Sequence, residues 1–170
     1  KLKHPDAWIR FEHGELSREG FLDEFFADGR SFDHAAFESM IRDGYAFLPG
    51  IERLLAELAA TQRAGAALSV HALSNYPEWY VWIEDKLRLS RFLEWSFVSC
   101  QVGLRKPDPK LYEHVLRTLD AAPEDCLFVD DRQKNLDPAA ALGMRTHLFQ
   151  DADHLREALV AEGILPAPTV

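Results

Sequence analysis

Three sets of residues in this sequence have the side chains that bind phosphate or a divalent cation. They are Ser74-Asn75, Lys106 and the acidic pair Asp130-Asp131. A hydroxyl and its neighbouring backbone N–H groups can donate to a phosphoryl oxygen, and a lysine ammonium offsets phosphate charge. Two adjacent carboxylates repel each other unless a cation neutralises them, so the acidic pair suits a hard cation such as Mg²⁺. The residues together predict a phosphate-and-magnesium site.

Each set also has a purely structural interpretation. Ser74-Asn75 could form a turn that starts a helix, and Lys106 could be a solvated loop lysine. Asp130-Asp131 could cap the following helix, where aspartate favours the positive end of the helix dipole. A cap rarely needs two acids, and the combination of a hydroxyl, a lysine and an acidic pair favours the functional interpretation.

Alternating strands and helices are expected to position these residues. Four short apolar runs are predicted as strands, separated by helical segments: 67–73, 95–98, 126–129 and 145–149. This alternation is typical of a Rossmann-like α/β fold, a parallel sheet covered by helices. Ligands in such sheets gather at the carboxyl ends of the strands, where the three sets of residues lie.

The first part of the chain lacks strand signals and is predicted to form a small helical cap. Aromatic residues recur there at intervals of three and four, which predicts a packed core rather than a cofactor site. Ser17 is expected to cap the second helix, and Asp33 lies near the predicted start of a third. The predicted organisation is a cap over residues 1–47 and an α/β core over 48–170.

Composition narrows the function classes. The chain has 170 residues, 19 Lys plus Arg, 28 Asp plus Glu and a net charge of −9, which argues against a general nucleic-acid binder. No run approaches the roughly 18 apolar residues of a membrane span, so membrane insertion is not expected. Cys100 and Cys126 stand alone, and the first residues do not resemble a secretory leader. An intracellular, reducing compartment is therefore expected, either cytoplasm or an organelle interior.

Several motifs together resemble one known family. They are Leu73-Ser74-Asn75, Arg105-Lys106-Pro107-Asp108-Pro109, Phe128-Val129-Asp130-Asp131 through Asn135, and Ala141-Leu142-Gly143-Met144. In this order they resemble the haloacid dehalogenase (HAD) superfamily, in the subgroup that includes the phosphatase domain of soluble epoxide hydrolase. The segment 11–17, followed by Phe21, is similar to the helical cap of that subgroup. The resemblance covers nearly the whole chain.

The resemblance implies a reaction and a set of roles. The family transfers a phosphoryl group from a small phosphorylated substrate to an aspartate and then hydrolyses the aspartyl-phosphate, with Mg²⁺ as cofactor. Carried over by position, Ser74, Asn75 and Lys106 are implied to bind phosphate, and Lys106 is also implied to be catalytic. Asp131 is implied to ligate the metal directly, with Asp130 and Asn135 supporting the geometry of the metal site. Arg105 is implied to contact substrate.

The family's nucleophile motif, Asp-x-Asp-x-Thr at the end of the first strand, does not occur in this sequence. Its only Asp-x-Asp is Asp151-Ala152-Asp153, which follows the fourth predicted strand, lacks the threonine and is interpreted more simply as a helix N-cap. The resemblance implies that the chain, which opens with Lys1, starts inside the cap. The central first strand is then expected to be absent, which leaves unpaired backbone groups in the sheet. Three explanations stay open: residues precede Lys1, another chain or segment supplies the strand, or the motif has been lost.

Two functions are therefore weighed. The first is a Mg²⁺-dependent phosphatase of small phosphorylated metabolites in its complete form, favoured over a dehalogenase because halide displacement needs no Mg²⁺. The alternative is a non-catalytic HAD-like subunit or binding module in a larger assembly. Trp79, Tyr80 and Trp82 are predicted as packing or interface residues, and an exposed cluster of this kind could support a homo-oligomer.

Overall fold

The computed structural model describes residues 2–167. This part of the chain forms four β-strands: β1 (His71–Ser74), β2 (Glu94–Val98), β3 (Leu127–Asp130) and β4 (Arg145–Leu148). Its α-helices are α1 (Ala7–Glu12), α2 (Arg18–Asp23), α3 (His34–Gly44), α4 (Ile51–Arg63), α5 (Tyr80–Leu87), α6 (Ser99–Val102), α7 (Pro109–Leu119), α8 (Gln133–Ala141) and α9 (Ala152–Ala161). Two short 3₁₀ turns lie at Leu89–Arg91 and Pro123–Asp125. None of these helices is both long and apolar enough to span a membrane.

The described chain divides into two compact units, each built from several segments. The first unit comprises the chain up to Ala46, His71–Ser90 and Glu94–Arg105, and it contains α1–α3, β1, α5, β2 and α6. The second comprises Phe47–Val70, Arg91–Leu93 and the chain from Lys106 onward, with the remaining helices and strands. The division into a cap over 1–47 and a core over 48–170 stays a prediction.

The sheet of the first unit consists of β1 and β2, which pair in parallel. Ser74 pairs with Val98 at the carboxyl end, and the register is irregular between His71 and Leu73. The predicted strand over 67–73 is thus shorter at its start than expected. Leu68 and Val70 instead pack beside an apolar cluster of the second unit that contains Leu54, Leu58, Leu159 and Leu165.

The sheet of the second unit consists of β3 and β4, also parallel and in continuous register. Asp130, the last residue of β3, pairs with Leu148, and α8 forms the connection between the two strands. The α/β class with parallel strands is therefore as predicted. Within residues 2–167 the strands form two separate two-stranded sheets. The absence of a central strand stays a prediction.

The aromatic residues of the helical region form a packed core, as the spacing predicts. Phe11 and Phe21 stack with ring centroids 4.6 Å apart, and Trp79 lies edge-on to Phe11 at 5.1 Å. Trp79 and Trp82 are 1% and 8% exposed, which confirms them as packing residues, so these two do not form an exposed cluster. Trp79 directly precedes α5, and Trp82 within α5 stacks on it; both belong to one buried cluster with Phe11 and Phe21.

The predicted cap at Ser17 is observed, and Asp33, predicted near the start of its helix, is a cap as well. The Ser17 hydroxyl accepts a hydrogen bond from the Gly20 N–H at 3.1 Å, and the Asp33 carboxylate accepts one from the Ala36 N–H at 2.9 Å. Both contacts satisfy a backbone donor that a helix leaves unpaired at its start.

Candidate active site

Lys106 and Asp130 form a largely buried ion pair in the second unit. Lys106 Nζ donates to Asp130 Oδ2 at 2.7 Å, and the two side chains are 12% and 4% exposed. The register of β3 places Asp130 at the end of the strand, and Asp108 caps α7 directly after the lysine segment. Two charges hidden from water are stable only when they are paired and hydrogen-bonded, which is the case here.

The second carboxylate oxygen of Asp130 is also occupied by protein donors. Asp130 Oδ1 accepts from Asn135 Nδ2 at 2.8 Å and from the Arg132 N–H at 2.9 Å. Asn135 is buried in the first turn of α8, and its carbonyl accepts from the Tyr112 hydroxyl at 2.6 Å. Asp130 is therefore held in one orientation by donors on both oxygens.

Burial and these donors act on the pKa of Asp130 in opposite directions. Burial by itself raises the pKa, but the hydrogen bond and charge of Lys106, with the hydrogen bonds from Asn135 and the Arg132 N–H, outweigh it. The pKa of Asp130 consequently lies below its usual value, and the side chain is ionised at neutral pH. Burial first, and then the charge of Asp130, raise the pKa of Tyr112, which stays a protonated donor to Asn135.

Asp131 follows Asp130 directly but lies in a different environment. It is exposed and outside the hydrogen-bond network that holds Asp130. A carboxylate oxygen is the donor type that Mg²⁺ prefers, so Asp131 fits this cation by chemistry. Within residues 2–167 no three or more His, Cys, Asp or Glu side chains form a group that could hold a metal ion, so Asp131 is one candidate ligand and not a complete site.

The predicted phosphate-binding residues lie at the end of β1 in the first unit. Ser74 is the last residue of the strand, and Asn75 follows it. The next residue, Tyr76, is held by the buried Ser99, whose hydroxyl accepts from the Tyr76 N–H at 3.0 Å. The same hydroxyl lies 2.6 Å from the backbone carbonyl of Glu12 and donates to it. Ser99 thus joins the end of α1 to the segment that follows Ser74.

Arg105, predicted to contact substrate, is held by helix α1. Its Nη2 donates to Glu12 Oε2 at 2.6 Å, while Glu12 Oε1 accepts from Trp8 Nε1 at 2.6 Å. The Glu12 side chain is 8% exposed and that of Arg105 is 30% exposed. The Nε atom of Arg105 is buried and has no hydrogen-bond partner among residues 2–167.

Sequence reasoning missed Glu12, Ser99 and Trp8 as parts of this arrangement. A signal existed for one pair, because Trp8 and Glu12 are four residues apart and therefore share a face of α1. No local signal existed for the contact between Glu12 and Arg105, which are 93 residues apart in sequence.

The structure brings only some of the predicted site residues together. Lys106, Asp130 and Asn135 are in contact in the second unit, with Asp131 beside them. Ser74, Asn75 and Arg105 belong to the first unit. A single site containing both sets stays a prediction.

The Asp-x-Asp sequence near the end of the chain is a helix cap. Asp151 Oδ1 accepts from the His154 N–H at 2.9 Å at the start of α9, and Asp151 Oδ2 lies 2.7 Å from His154 Nδ1. The N-cap interpretation of this segment is therefore confirmed.

Comparisons with known proteins agree with the motifs. Residues 5–143 match the haloacid dehalogenase-like hydrolases. Over 164 residues the chain is 44% identical to the chloroplastic flavin mononucleotide hydrolase 1 of Arabidopsis thaliana, covering 96% of this chain and 65% of that protein. Over 70 residues it is 47% identical to bifunctional epoxide hydrolase 2 of Rattus norvegicus, covering 41% of this chain and 13% of that protein. The chain thus spans less than two thirds of the length of both relatives.

A solved structure shows the same fold. It is a wild-type HAD family enzyme from Bacteroides thetaiotaomicron in complex with magnesium and inorganic phosphate. The TM-score is 0.70 at 18% identity, over 88% of this chain and 78% of that chain. At this identity the likeness bears on the fold alone, and it confirms the predicted α/β architecture.

Proposed function

Because the chain belongs to the haloacid dehalogenase-like hydrolase family, we propose that in its complete form it is a Mg²⁺-dependent phosphatase of small phosphorylated metabolites. The observation that carries the proposal is the pair of Lys106 and Asp130, a lysine ammonium fixed by a buried carboxylate at the end of a parallel strand. The similarity to a flavin mononucleotide hydrolase supports it, since that substrate name denotes a phosphate ester.

The proposed roles follow from the position of each residue. Ser74 and Asn75 bind phosphate oxygens, and Lys106 offsets their charge. Asp131 would ligate Mg²⁺, while Asp130 holds Lys106 in place. When bound, Mg²⁺ neutralises charge that develops on the phosphoryl oxygens. The metal bound in the Bacteroides thetaiotaomicron enzyme is consistent with this cofactor.

Two further residues have supporting roles in the proposal. Asn135 fixes the orientation of Asp130 through the hydrogen bond to Oδ1. Arg105, held by Glu12, contacts the substrate.

The reaction also requires a nucleophile. A carboxylate attacks phosphorus and the alcohol of the substrate leaves, after which water attacks the aspartyl-phosphate and releases inorganic phosphate. The sequence contains no Asp-x-Asp-x-Thr, and Asp151 caps α9. We therefore propose that the nucleophile lies on a strand that these 170 residues do not include.

A second candidate function is a non-catalytic HAD-like subunit or binding module in a larger assembly. The specific observation in its favour is the lack of an acidic metal-binding group within residues 2–167, together with the missing motif. On this interpretation Lys106 and Asp130 form a structural pair only.

The cellular setting is proposed from the cysteines and the relative. Cys100 and Cys126 are free thiols, and burial raises the pKa of both. Free, weakly ionised thiols suit an intracellular, reducing compartment. The chloroplastic relative is consistent with an organelle interior.

The test is release of inorganic phosphate from flavin mononucleotide, with and without Mg²⁺. It compares the native protein as isolated from its source, the 170-residue chain, and the Asp131→Asn variant of each. The matched control is Asp137→Asn, which removes another exposed carboxylate six residues further along.

Each outcome of this assay separates the candidates. Mg²⁺-dependent release that Asp131→Asn abolishes and Asp137→Asn preserves would support the phosphatase. Activity of the native protein but not of the 170-residue chain would place the nucleophile outside this chain. No release by either protein, from flavin mononucleotide or from 4-nitrophenyl phosphate, would contradict the phosphatase and favour the binding module.

A further inference from the structure

We infer that Trp8 is a specificity-determining residue, whose exposed indole stacks against a planar aromatic ring in the leaving group of the phosphorylated substrate. The inference rests on the proposed function, because it puts the ring next to the segment proposed to bind phosphate. It adds a substrate class, phosphate monoesters of alcohols that carry a flat ring several bonds from the ester oxygen.

Trp8 is held rigidly and is nevertheless exposed. It is 37% exposed, whereas Trp79 in the same aromatic core is 1% exposed. The Trp8 indole N–H donates to the buried Glu12 carboxylate at 2.6 Å. The ring of Trp8 lies edge-on to Phe21 at 5.5 Å and to Trp79 at 6.2 Å between centroids. A ring with so little freedom loses little entropy when a ligand stacks on it.

Trp8 also contacts the segment that follows Ser74. The rings of Trp8 and Tyr76 lie edge-on with centroids 6.0 Å apart. Tyr76 is two residues after Ser74, which limits the distance between their Cα atoms to about 7 Å. Ser99 bridges the Tyr76 N–H and the Glu12 carbonyl, so the distance between Trp8 and the phosphate-binding segment is fixed.

The surroundings of Trp8 favour a neutral aromatic ligand. The hydroxyls of Tyr76 and Tyr45 are 2.8 Å apart, and burial raises the pKa of both phenols, so they stay uncharged at neutral pH. Aromatic side chains attract a further ring through stacked or edge-on contacts. The reach from Ser74 past Tyr76 to Trp8 fits a ring joined to the phosphate by a chain, not one bonded directly to the ester oxygen.

Ile9 provides a matched control. It is the next residue on α1 and is 41% exposed, so it contributes apolar surface similar in exposure to that of Trp8. Ile9→Ala removes apolar area from the same helix and leaves the ring, its hydrogen bond to Glu12 and its contact with Tyr76 unchanged.

The test is equilibrium binding by calorimetry to the 170-residue chain in the presence of Mg²⁺. The probes are flavin mononucleotide, riboflavin as the ring without phosphate, and ribose 5-phosphate as the phosphate ester without the ring. The proteins are the wild type, Trp8→Ala, Trp8→Phe and Ile9→Ala, each checked for thermal stability and for oligomeric state by light scattering.

Trp8→Ala is expected to weaken the binding of flavin mononucleotide and of riboflavin about tenfold, which is the size of a ring-stacking contribution. The affinity for ribose 5-phosphate is expected to stay unchanged. Trp8→Phe is expected to retain most of the affinity, and Ile9→Ala all of it. Equal weakening of all three probes, equal affinity in wild type and Trp8→Ala, or a change in oligomeric state in place of ring binding would overturn the inference.

The two proposals fail in different ways. If the wild type binds riboflavin through Trp8 but binds flavin mononucleotide no more tightly than riboflavin, the ring surface stands and phosphate binding by this chain falls. If the wild type binds ribose 5-phosphate and Trp8→Ala changes none of the affinities, phosphate binding stands and the ring surface falls. If the wild type binds none of the probes, the ring surface falls, and phosphate release by the native protein decides the phosphatase.

Discussion

Asp130 and Asp131 carry the same carboxyl group at neighbouring positions in the chain, yet their surroundings assign them opposite tasks. The Asp130 side chain is 4% exposed, and its carboxylate oxygens accept hydrogen bonds from Lys106, Asn135 and a backbone N–H. A cation could displace these donors only by leaving Lys106 without its counter-charge in a buried position, which is unfavourable. Asp131 is exposed and does not neutralise Lys106, so it is the member of the pair that is suited to bind a cation.

This difference predicts contrasting stabilities for two isosteric variants. Asp130→Asn leaves Lys106 buried without its counter-charge, and the free energy of unfolding is expected to fall by about 3 kcal/mol. Asp131→Asn changes an exposed side chain, and the expected change is within about 0.5 kcal/mol. Urea unfolding of both variants measures this, and equal losses would show that the buried network does not distinguish the two aspartates.

The ion pair also predicts how stability depends on pH. Because the pKa of Asp130 is lower in the folded chain than its usual value of about 3.9, the unfolded state binds the proton first as pH falls. The contribution of Asp130 to stability is thus fully present above about pH 5 and declines below about pH 4, through the folded-state pKa. The unfolding free energy between about pH 2.5 and 6 is expected to fall less steeply toward acid in Asp130→Asn than in the wild type. Parallel curves for the two proteins would contradict this.

At the scale of elements, the short helices α1 and α6 approach so closely that the backbone itself makes the contact. Gly14, just after α1, has a φ of +74°, and a Cβ there would lie 2.7 Å from the Cys100 carbonyl oxygen in α6. Ser99, the first residue of α6, is bonded to the Glu12 carbonyl at the end of α1. The two helix ends therefore approach through the backbone at Gly14, and the Ser99 hydroxyl bonds the end of α1 to the segment after Ser74.

A pair of glycine variants tests this close approach. Gly29 has a φ of +68°, and a Cβ at this position would meet nothing within 4 Å among the described residues, so Gly29→Ala carries only backbone strain, about 1 kcal/mol. Gly14→Ala adds a clash with a backbone carbonyl and is expected to lose about 3 kcal/mol in total. Thermal unfolding and urea titration of the two variants give the comparison. Similar losses would mean that α1 and α6 separate without resistance.

The same elements show what sequence can and cannot predict. Strands β2, β3 and β4 and the caps Ser17 and Asp33 are predictable because their signals are local: apolar runs and a polar residue before a helix. The predicted start of β1 is wrong, since an apolar run does not reveal which apolar cluster its residues join. Pairs of distant residues, such as Glu12 with Arg105, depend on tertiary packing and leave no spacing pattern.

At the scale of the molecule, the motif residues are divided between two units whose segments alternate along the chain. Residues of the first unit both precede and follow segments of the second, so neither unit is one continuous stretch. Each unit has its own parallel strand pair, and a predicted site residue ends the first strand of each pair: Ser74 on β1 and Asp130 on β3. In each unit the site residue thus ends the first of two parallel strands joined by a crossover. The residue is Ser74, proposed to bind phosphate, in the first unit and Asp130, the partner of Lys106, in the second.

Ligand binding to the whole chain provides the last prediction, because a ligand that binds only the folded state stabilises it by mass action. Inorganic phosphate with Mg²⁺, each at about ten times its Kd, is expected to raise the unfolding free energy by about 1.4 kcal/mol per ligand. Removing Mg²⁺ with EDTA should reverse the metal's share, and Asp131→Asn should abolish that share while keeping the phosphate share. Asp137→Asn, the exposed control, should behave as wild type. If Mg²⁺ still stabilises Asp131→Asn, the cation binds at another position. If phosphate stabilises none of the proteins, the pair of Lys106 and Asp130 has only a structural role.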